Sequence, residues 1–236
     1  HRQFDKATGS SLHSAHEFYP VRMPTASRAT ADRIIKDVPM LPLHEVLHQE
    51  FTDLGLDRVR ELLAESRDRL PPSYWAHPAV VSAPPGSLVV PLSIYMDSVP
   101  FVWHDTALGI WAYGTLFGKH HLVGVLRKSE ACQCSCRGWC TMHCVFQFLR
   151  WCFVTMMAGR FPQARHDGSP FKDTESNRAG TAGSDMGWRA AVVFVKGDWA
   201  EIANTLGFSP WNVVQYPCFL CESTREGLFD YVGLSP

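Results

Sequence analysis

The chain has 236 residues, 46% of them apolar, which suits one large domain or a domain with an appendage and supplies an ordinary globular core. A formal net charge of −1 excludes a strong overall pull toward nucleic acid or an acidic membrane, so any such contact must come from a local patch. The nearest candidate for a membrane span, residues 145–158, is too short and is interrupted by Arg150, so it reads as a buried amphipathic helix and no membrane partner is expected. The chain opens on His1 with no signal-peptide pattern; a piece of a longer, non-secreted nuclear or cytoplasmic protein is expected.

Residues 1–30 are polar and turn-rich and read as a disordered tail or linker. Residues 31–85 read as a helical N-terminal segment. Thr30 caps a short helix that Pro39 ends, and apolar residues recur at helical spacing from Leu43 to Arg69, with Gly55 as a possible split. Pro84-Pro85-Gly86 marks a boundary. Residues 86–236 then form the core. Strands are predicted over 88–96, 107–116 and 121–127 as an antiparallel meander, followed by a cysteine-rich insertion over 130–144. A helix over 141–157, a loop over 159–187, a fourth strand over 189–195 and a helix over 199–206 complete the pattern.

Asp97 lies on the first of these strands and Asp198 just past the fourth. Three strands, a helix and a fourth strand, with an acid on the first and fourth, is the order of a ribonuclease-H-like α+β core. In that order the first and fourth strands are parallel neighbours, and their carboxylates converge. Paired carboxylates suit Mg²⁺ or Mn²⁺, hard cations that can clamp the attacking and leaving oxygens of a phosphodiester. The plainer readings are a turn aspartate before Pro100 and an N-cap for the helix at Trp199.

Five of the eight cysteines fall between Cys132 and Cys144. Clustered thiols in a chain with no secretion signal suggest reduced cysteines and a structural zinc. Cys134, Cys136 and Cys140 are the expected ligands, with His143 or Cys144 as the fourth. Cys152 reads as a core residue. Cys218 and Cys221 supply half of a further zinc site or, less aptly, a redox pair. Arg127, Lys128 and Arg137 are candidate phosphate contacts. Arg165-His166-Asp167 reads as a polar loop, with a third acid or a DNA contact as its functional alternative. Trp103, Trp111, Trp139, Trp151 and Trp188 read as core aromatics rather than stacking platforms.

The segments Tyr95-Met-Asp97-Ser-Val-Pro-Phe101, Val125-Leu-Arg-Lys128, Lys196-Gly-Asp198 and Pro217-Cys218-Phe-Leu-Cys221 together resemble the catalytic core of DDE-type transposases, notably the CACTA-like and Plavaka-like groups. The run Cys132-Gln-Cys-Ser-Cys-Arg-Gly-Trp-Cys140, with Arg165-His-Asp-Gly-Ser169, also resembles a large uncharacterised family expanded in protist genomes. The transposase resemblance implies metal-dependent DNA cleavage and strand transfer through Asp97 and Asp198, DNA as partner, possible homo-oligomers, and a zinc-binding insertion opened by Cys218 and Cys221. A third acid is implied beyond that insertion; Glu222 and Asp230 are candidates by type, but the insertion itself is not here, so the fragment is expected to be incomplete or inactive. The alternative is a non-enzymatic zinc-stabilised module that binds nucleic acid or protein.

Overall fold

The computed structural model describes residues 18–208 and residue 224. The chain begins with strands β1 (Tyr19–Ala26) and β2 (Arg33–Met40). Helices α1 (Leu43–Leu54) and α2 (Leu56–Glu65) follow, then the one-turn helices α3 (Pro72–Trp75) and α4 (Pro78–Val81). Strands β3 (Val89–Val102), β4 (Asp105–Gly114) and β5 (His120–Arg127) come next. The long helix α5 (Trp139–Ala158), the short α6 (Ser176–Thr181), strand β6 (Arg189–Lys196) and helix α7 (Trp199–Leu206) complete the described chain.

The architecture is α+β. A four-stranded mixed sheet has the order β5-β4-β3-β6, and β1 pairs with β2 in a separate two-stranded ribbon, with one further bridge from Thr25 to Ala131. The β3-β4-β5 meander is antiparallel, while β6 returns beside β3 in parallel. A parallel return needs a crossover connection, and α5 with its following loop supplies it. Gly55 breaks the Leu43–Arg69 periodicity into α1 and α2: its φ of 85° lies in the region that disfavours side chains. Asp198 caps α7, its carboxylate accepting the Glu201 N–H at 2.5 Å.

The main core lies between α5 and one face of the sheet. Val145, Phe148, Leu149, Cys152 and Met156 line one side of α5 at helical spacing, and Val90, Leu92, Ile94 and Ile110 meet them in the same cluster. Each such side chain contributes about 1.5–3 kcal/mol by leaving water. Leu70, Tyr74 and Ala79 form a second, smaller cluster with Val89 and Ala191.

The N-terminal third departs from expectation. Residues 19–26 are not a tail, and residues 33–38 are strand rather than helix. Tyr19, Val21 and Met23 are fully buried in the main core beside α5, which is what holds the ribbon in place. The Pro84-Pro85-Gly86 boundary therefore does not divide the core, because residues on both sides of it share one cluster.

A buried polar network fastens this ribbon to the 159–187 loop. The Arg165 guanidinium pairs with Glu175, donates to the Pro20 carbonyl at 3.3 Å and stacks 4.7 Å from the Tyr19 ring. The Tyr19 hydroxyl meets His166 Nδ1 at 2.7 Å, and Arg178 donates to Glu45 at 2.6 and 3.0 Å. Burial raises the Tyr19 phenol to about 12. Within Arg165-His166-Asp167, Arg165 is thus a buried structural residue, while Asp167 is exposed and accepts the Ser169 N–H at 3.0 Å.

His44, on α1, is fully enclosed, with Trp151 edge-on at 4.7 Å. Burial, with the charges of Arg178 and His48, lowers its pKa to about 3. The unfolded chain therefore binds a proton near pH 6.5 that the folded chain refuses until about pH 3. This contribution to stability is complete above pH 6.5 and is lost downward through that window, at up to about 1.4 kcal/mol per pH unit. Replacing His44 with Leu should flatten the fall in urea-unfolding free energy between pH 6.5 and 5. An unchanged slope would mean that another group controls it.

Candidate functional site at one edge of the sheet

Strand direction gathers the chemically distinctive residues at one edge. β3 and β6 run together, so their C-terminal ends share that edge. β4 runs the other way and starts there at Asp105, and β5 ends there at Arg127. The cysteine loop follows β5 directly.

Asp97 on β3 and Asp198 just past β6 belong to neighbouring segments at this edge. Tyr95 pairs with Lys196 in the parallel ladder. Immediately beyond, Gly197 runs so close to β3 that a Cβ on it would lie 2.7 Å from the Met96 carbonyl oxygen. Only glycine permits that approach, and one residue further along each chain stand Asp97 and Asp198. The Tyr95 hydroxyl donates to Asp97 Oδ2 at 2.8 Å. That bond is the main cause of a raised Tyr95 pKa, and the charges of both Asp97 and Asp198 add to it. Asp97 is half-buried and Asp198 exposed. Asp198 is also the α7 cap, as the plainer reading of the sequence had it; the cap bond engages Oδ1. Among the described residues no third carboxylate closes around the pair.

The basic residues at this edge are largely committed within the chain. Arg127 is bound to Asp105 at 2.6 Å and to Glu130 at 3.5 Å. Burial opposes the Asp105 charge, but hydrogen bonds from Ser129 and Arg127 outweigh it and leave the pKa below its ordinary value. Lys128 reaches the buried Glu201 at 3.0 Å, and Thr205 bonds the other Glu201 oxygen. Glu201 was missed in the sequence: an acid in the first turn of a short helix looks like dipole complementation, and nothing local signals burial. Arg137 remains exposed on the cysteine loop. Arg127, Lys128, Arg137, Gln133 and Thr205 border a cleft of about 430 Å³ between that loop and α7.

The thiols of Cys132, Cys134, Cys136 and Cys140 lie within 4.8 Å of one another and could hold a metal ion such as zinc. Sγ separations of 3.3 Å for Cys132–Cys134 and 3.6 Å for Cys134–Cys140 fit a tetrahedral zinc, whose ~2.3 Å bonds imply sulfur spacings of about 3.8 Å. Cys132 is thus the fourth member, in place of the expected His143 or Cys144. Ser135 and Arg137 adopt left-handed φ values of 68° and 52°, and Gly138 one of 86°. These fold the loop back so that the Gly138 N–H reaches the Cys132 carbonyl at 3.1 Å. His143 is exposed, and the Cys144 thiol points to the Cys140 carbonyl at 3.5 Å.

The Cys140 N–H lowers the Cys136 pKa to about 6, whereas the bond to Cys136 raises Cys140 to about 12. One thiolate at this cluster thus suppresses the next unless a cation balances them. A single hydroxyl anchors the loop: Thr141 Oγ1 accepts the Cys132 N–H at 2.8 Å and donates to the Pro24 carbonyl at 2.5 Å.

Cys152 is a core residue, as expected, with its pKa pushed up by burial. Cys218, Cys221, Glu222 and Asp230 lie outside the described residues. Trp188 is buried, but Trp139 is substantially exposed and Trp103 almost fully so, against the core reading of both. On α1, the run His44-Glu45-Val46-Leu47-His48 has the His-Glu-x-x-His spacing of some zinc sites. The structure uses it otherwise: Glu45 binds Arg178, and His48 Nδ1 accepts the Trp188 N–H at 3.3 Å. Among the described residues, only the four loop cysteines form a metal-compatible group of three or more. No helix there is long and apolar enough to cross a membrane. No family model matches this sequence, and no curated protein or solved structure matches it.

Proposed function

We propose that this chain is a nucleic-acid-acting domain of ribonuclease-H-like type, related to the DDE-transposase core and braced by a zinc ion on Cys132, Cys134, Cys136 and Cys140. The observation that carries the reading is the β5-β4-β3-β6 order, with Asp97 and Asp198 side by side where the parallel pair β3 and β6 ends. A carboxylate on β3 and a second one two residues past the end of β6 suit a shared hard divalent cation. Bound Mg²⁺ or Mn²⁺ would activate a water or 3′-hydroxyl and stabilise the leaving oxygen of a phosphodiester. The chain's own part is positional: Gly197 lets the strands close up, and Tyr95 orients the Asp97 carboxylate.

Mn²⁺ binding to the full chain, followed by titration calorimetry, tests this separately from turnover. Asp97→Ala and Asp198→Ala should each weaken binding at least tenfold and abolish any divalent-dependent DNA cleavage. Unchanged Mn²⁺ affinity in both variants would refute the carboxylate site.

The four-thiol loop favours a second reading, a zinc-stabilised binding module without catalysis. It predicts nucleic-acid or protein binding that survives both aspartate substitutions and disappears with zinc.

A further inference from the structure

Trp103 is 94% exposed, at the tip of the β3–β4 hairpin, with Val99 and Val102 beside it at 44% and 46%. Covering the indole would take its apolar surface out of water, so the tip offers a favourable contact to an occupant. The tip is stiff. Val102 pairs with Asp105, leaving only Trp103 and His104 in the turn. Below it, Asp105 binds Arg127 and accepts the Ser129 N–H and hydroxyl at 3.1 and 2.8 Å. The ring is therefore presented by a braced ribbon.

We propose that Trp103 is a stacking platform for an unpaired base of a nucleic-acid strand lying along the edge that carries Asp97 and Asp198. This rests on the function proposed above and specifies its substrate as single-stranded or locally opened nucleic acid. Continuity supports it. Trp103 is six residues beyond Asp97 on the same hairpin arm, roughly 20 Å at about 3.3 Å per residue, so one strand can touch both. Size supports it too. Three side chains at a turn fall well short of the ~800 Å² per partner of a stable protein interface, but an indole matches one base. Bases in a duplex already have both faces covered, so the platform selects an unpaired one. Arg137 and the cation held by the two aspartates would meet the phosphates of the same strand.

The test is fluorescence anisotropy of a labelled 20-nucleotide single strand, its duplex and anionic phosphatidylserine vesicles, with wild type, Trp103→Ala and Trp103→Phe in Mn²⁺. Wild type should prefer the single strand. Trp103→Ala should lose roughly tenfold in single-strand affinity with duplex binding unchanged, and Trp103→Phe should lie between. Equal binding of the single strand by wild type and Trp103→Ala overturns this inference and leaves the aspartate site intact. No nucleic-acid binding by wild type overturns the parent reading as well. A Trp103→Ala defect confined to vesicles or to self-association assigns the tip to a membrane or to a second copy, and also overturns it. Because the ring is exposed, the substitutions should leave the melting temperature unchanged, which separates contact loss from misfolding.

Discussion

Removing zinc is expected to loosen the whole edge of the sheet that carries Asp97 and Asp198. A zinc ion on four thiolates contributes on the order of 10–16 kcal/mol in small zinc domains, comparable with or above the total stability of a typical domain. Here the cysteine loop joins β5 to α5 and, through Thr141, grips the N-terminal ribbon. Not all of that energy need reach the global transition, because the core clusters persist. A transmitted few kcal/mol would still lower the melting temperature by about 10 °C in a chain of this size. Cys132→Ser should cost one equivalent of zinc by elemental analysis, as should Cys134→Ser, while His143→Ala and Cys144→Ala should keep it. A Cys132→Ser protein with full zinc content would refute the four-cysteine site.

The second large effect is expected at Arg165. Its guanidinium and the Glu175 carboxylate face each other with only 6% of either side chain exposed. Burial opposes the Glu175 charge, but the Lys172 N–H and Arg165 outweigh it and hold its pKa below the ordinary range. Truncation to Ala leaves that carboxylate partly stranded, with Arg178 at 3.6 Å and the Lys172 N–H at 3.0 Å still facing it, so the cost should fall toward the lower end of the about 3–5 kcal/mol typical of a broken buried pair. The Arg165→Met/Glu175→Leu double variant should recover much of that loss, because both charges then leave together. Urea unfolding of the two variants provides the measurement. If the double variant is no better than Arg165→Ala, the loss lies in packing against Tyr19 rather than in the stranded charge. Arg150→Ala, at an exposed position, should change stability by less than about 0.5 kcal/mol.

The sheet was legible because its strands carry apolar runs bounded by turn signals, and residues 199–206 were legible as a helix because Asp198 and Gly207 punctuate both ends. The ribbon was not, because proline disguises it. Pro20 and Pro39 stand opposite one another, a position where neither strand needs an N–H for the ladder, so two residues that argue against a strand are tolerated there. Isoleucines at 34 and 35 blur the alternation further. In the cysteine loop, ligand type was readable but not the fourth member. Left-handed backbone at Ser135 and Arg137 brings Cys132 in, and nothing in either residue's type announces it. Trp103 was assigned to the core because tryptophan usually belongs there. Its exposure follows from the length of β3, which runs past Asp97 to Val102.

The ribbon also sets an order of events during synthesis. Tyr19, Val21 and Met23 are made before the α5 residues that bury them, which lie more than 100 positions later. At ribosomal rates of about 5–20 residues per second, that interval is on the order of 10 s. Throughout it the first strand has its hairpin partner but not the helix that covers it, a state open to chaperones and to pairing with other chains. The exposed face of the waiting β2 carries Arg33 and Asp37 but also Ile35, which is 50% exposed. The ribbon is thus secured on its buried side only when α5 has emerged.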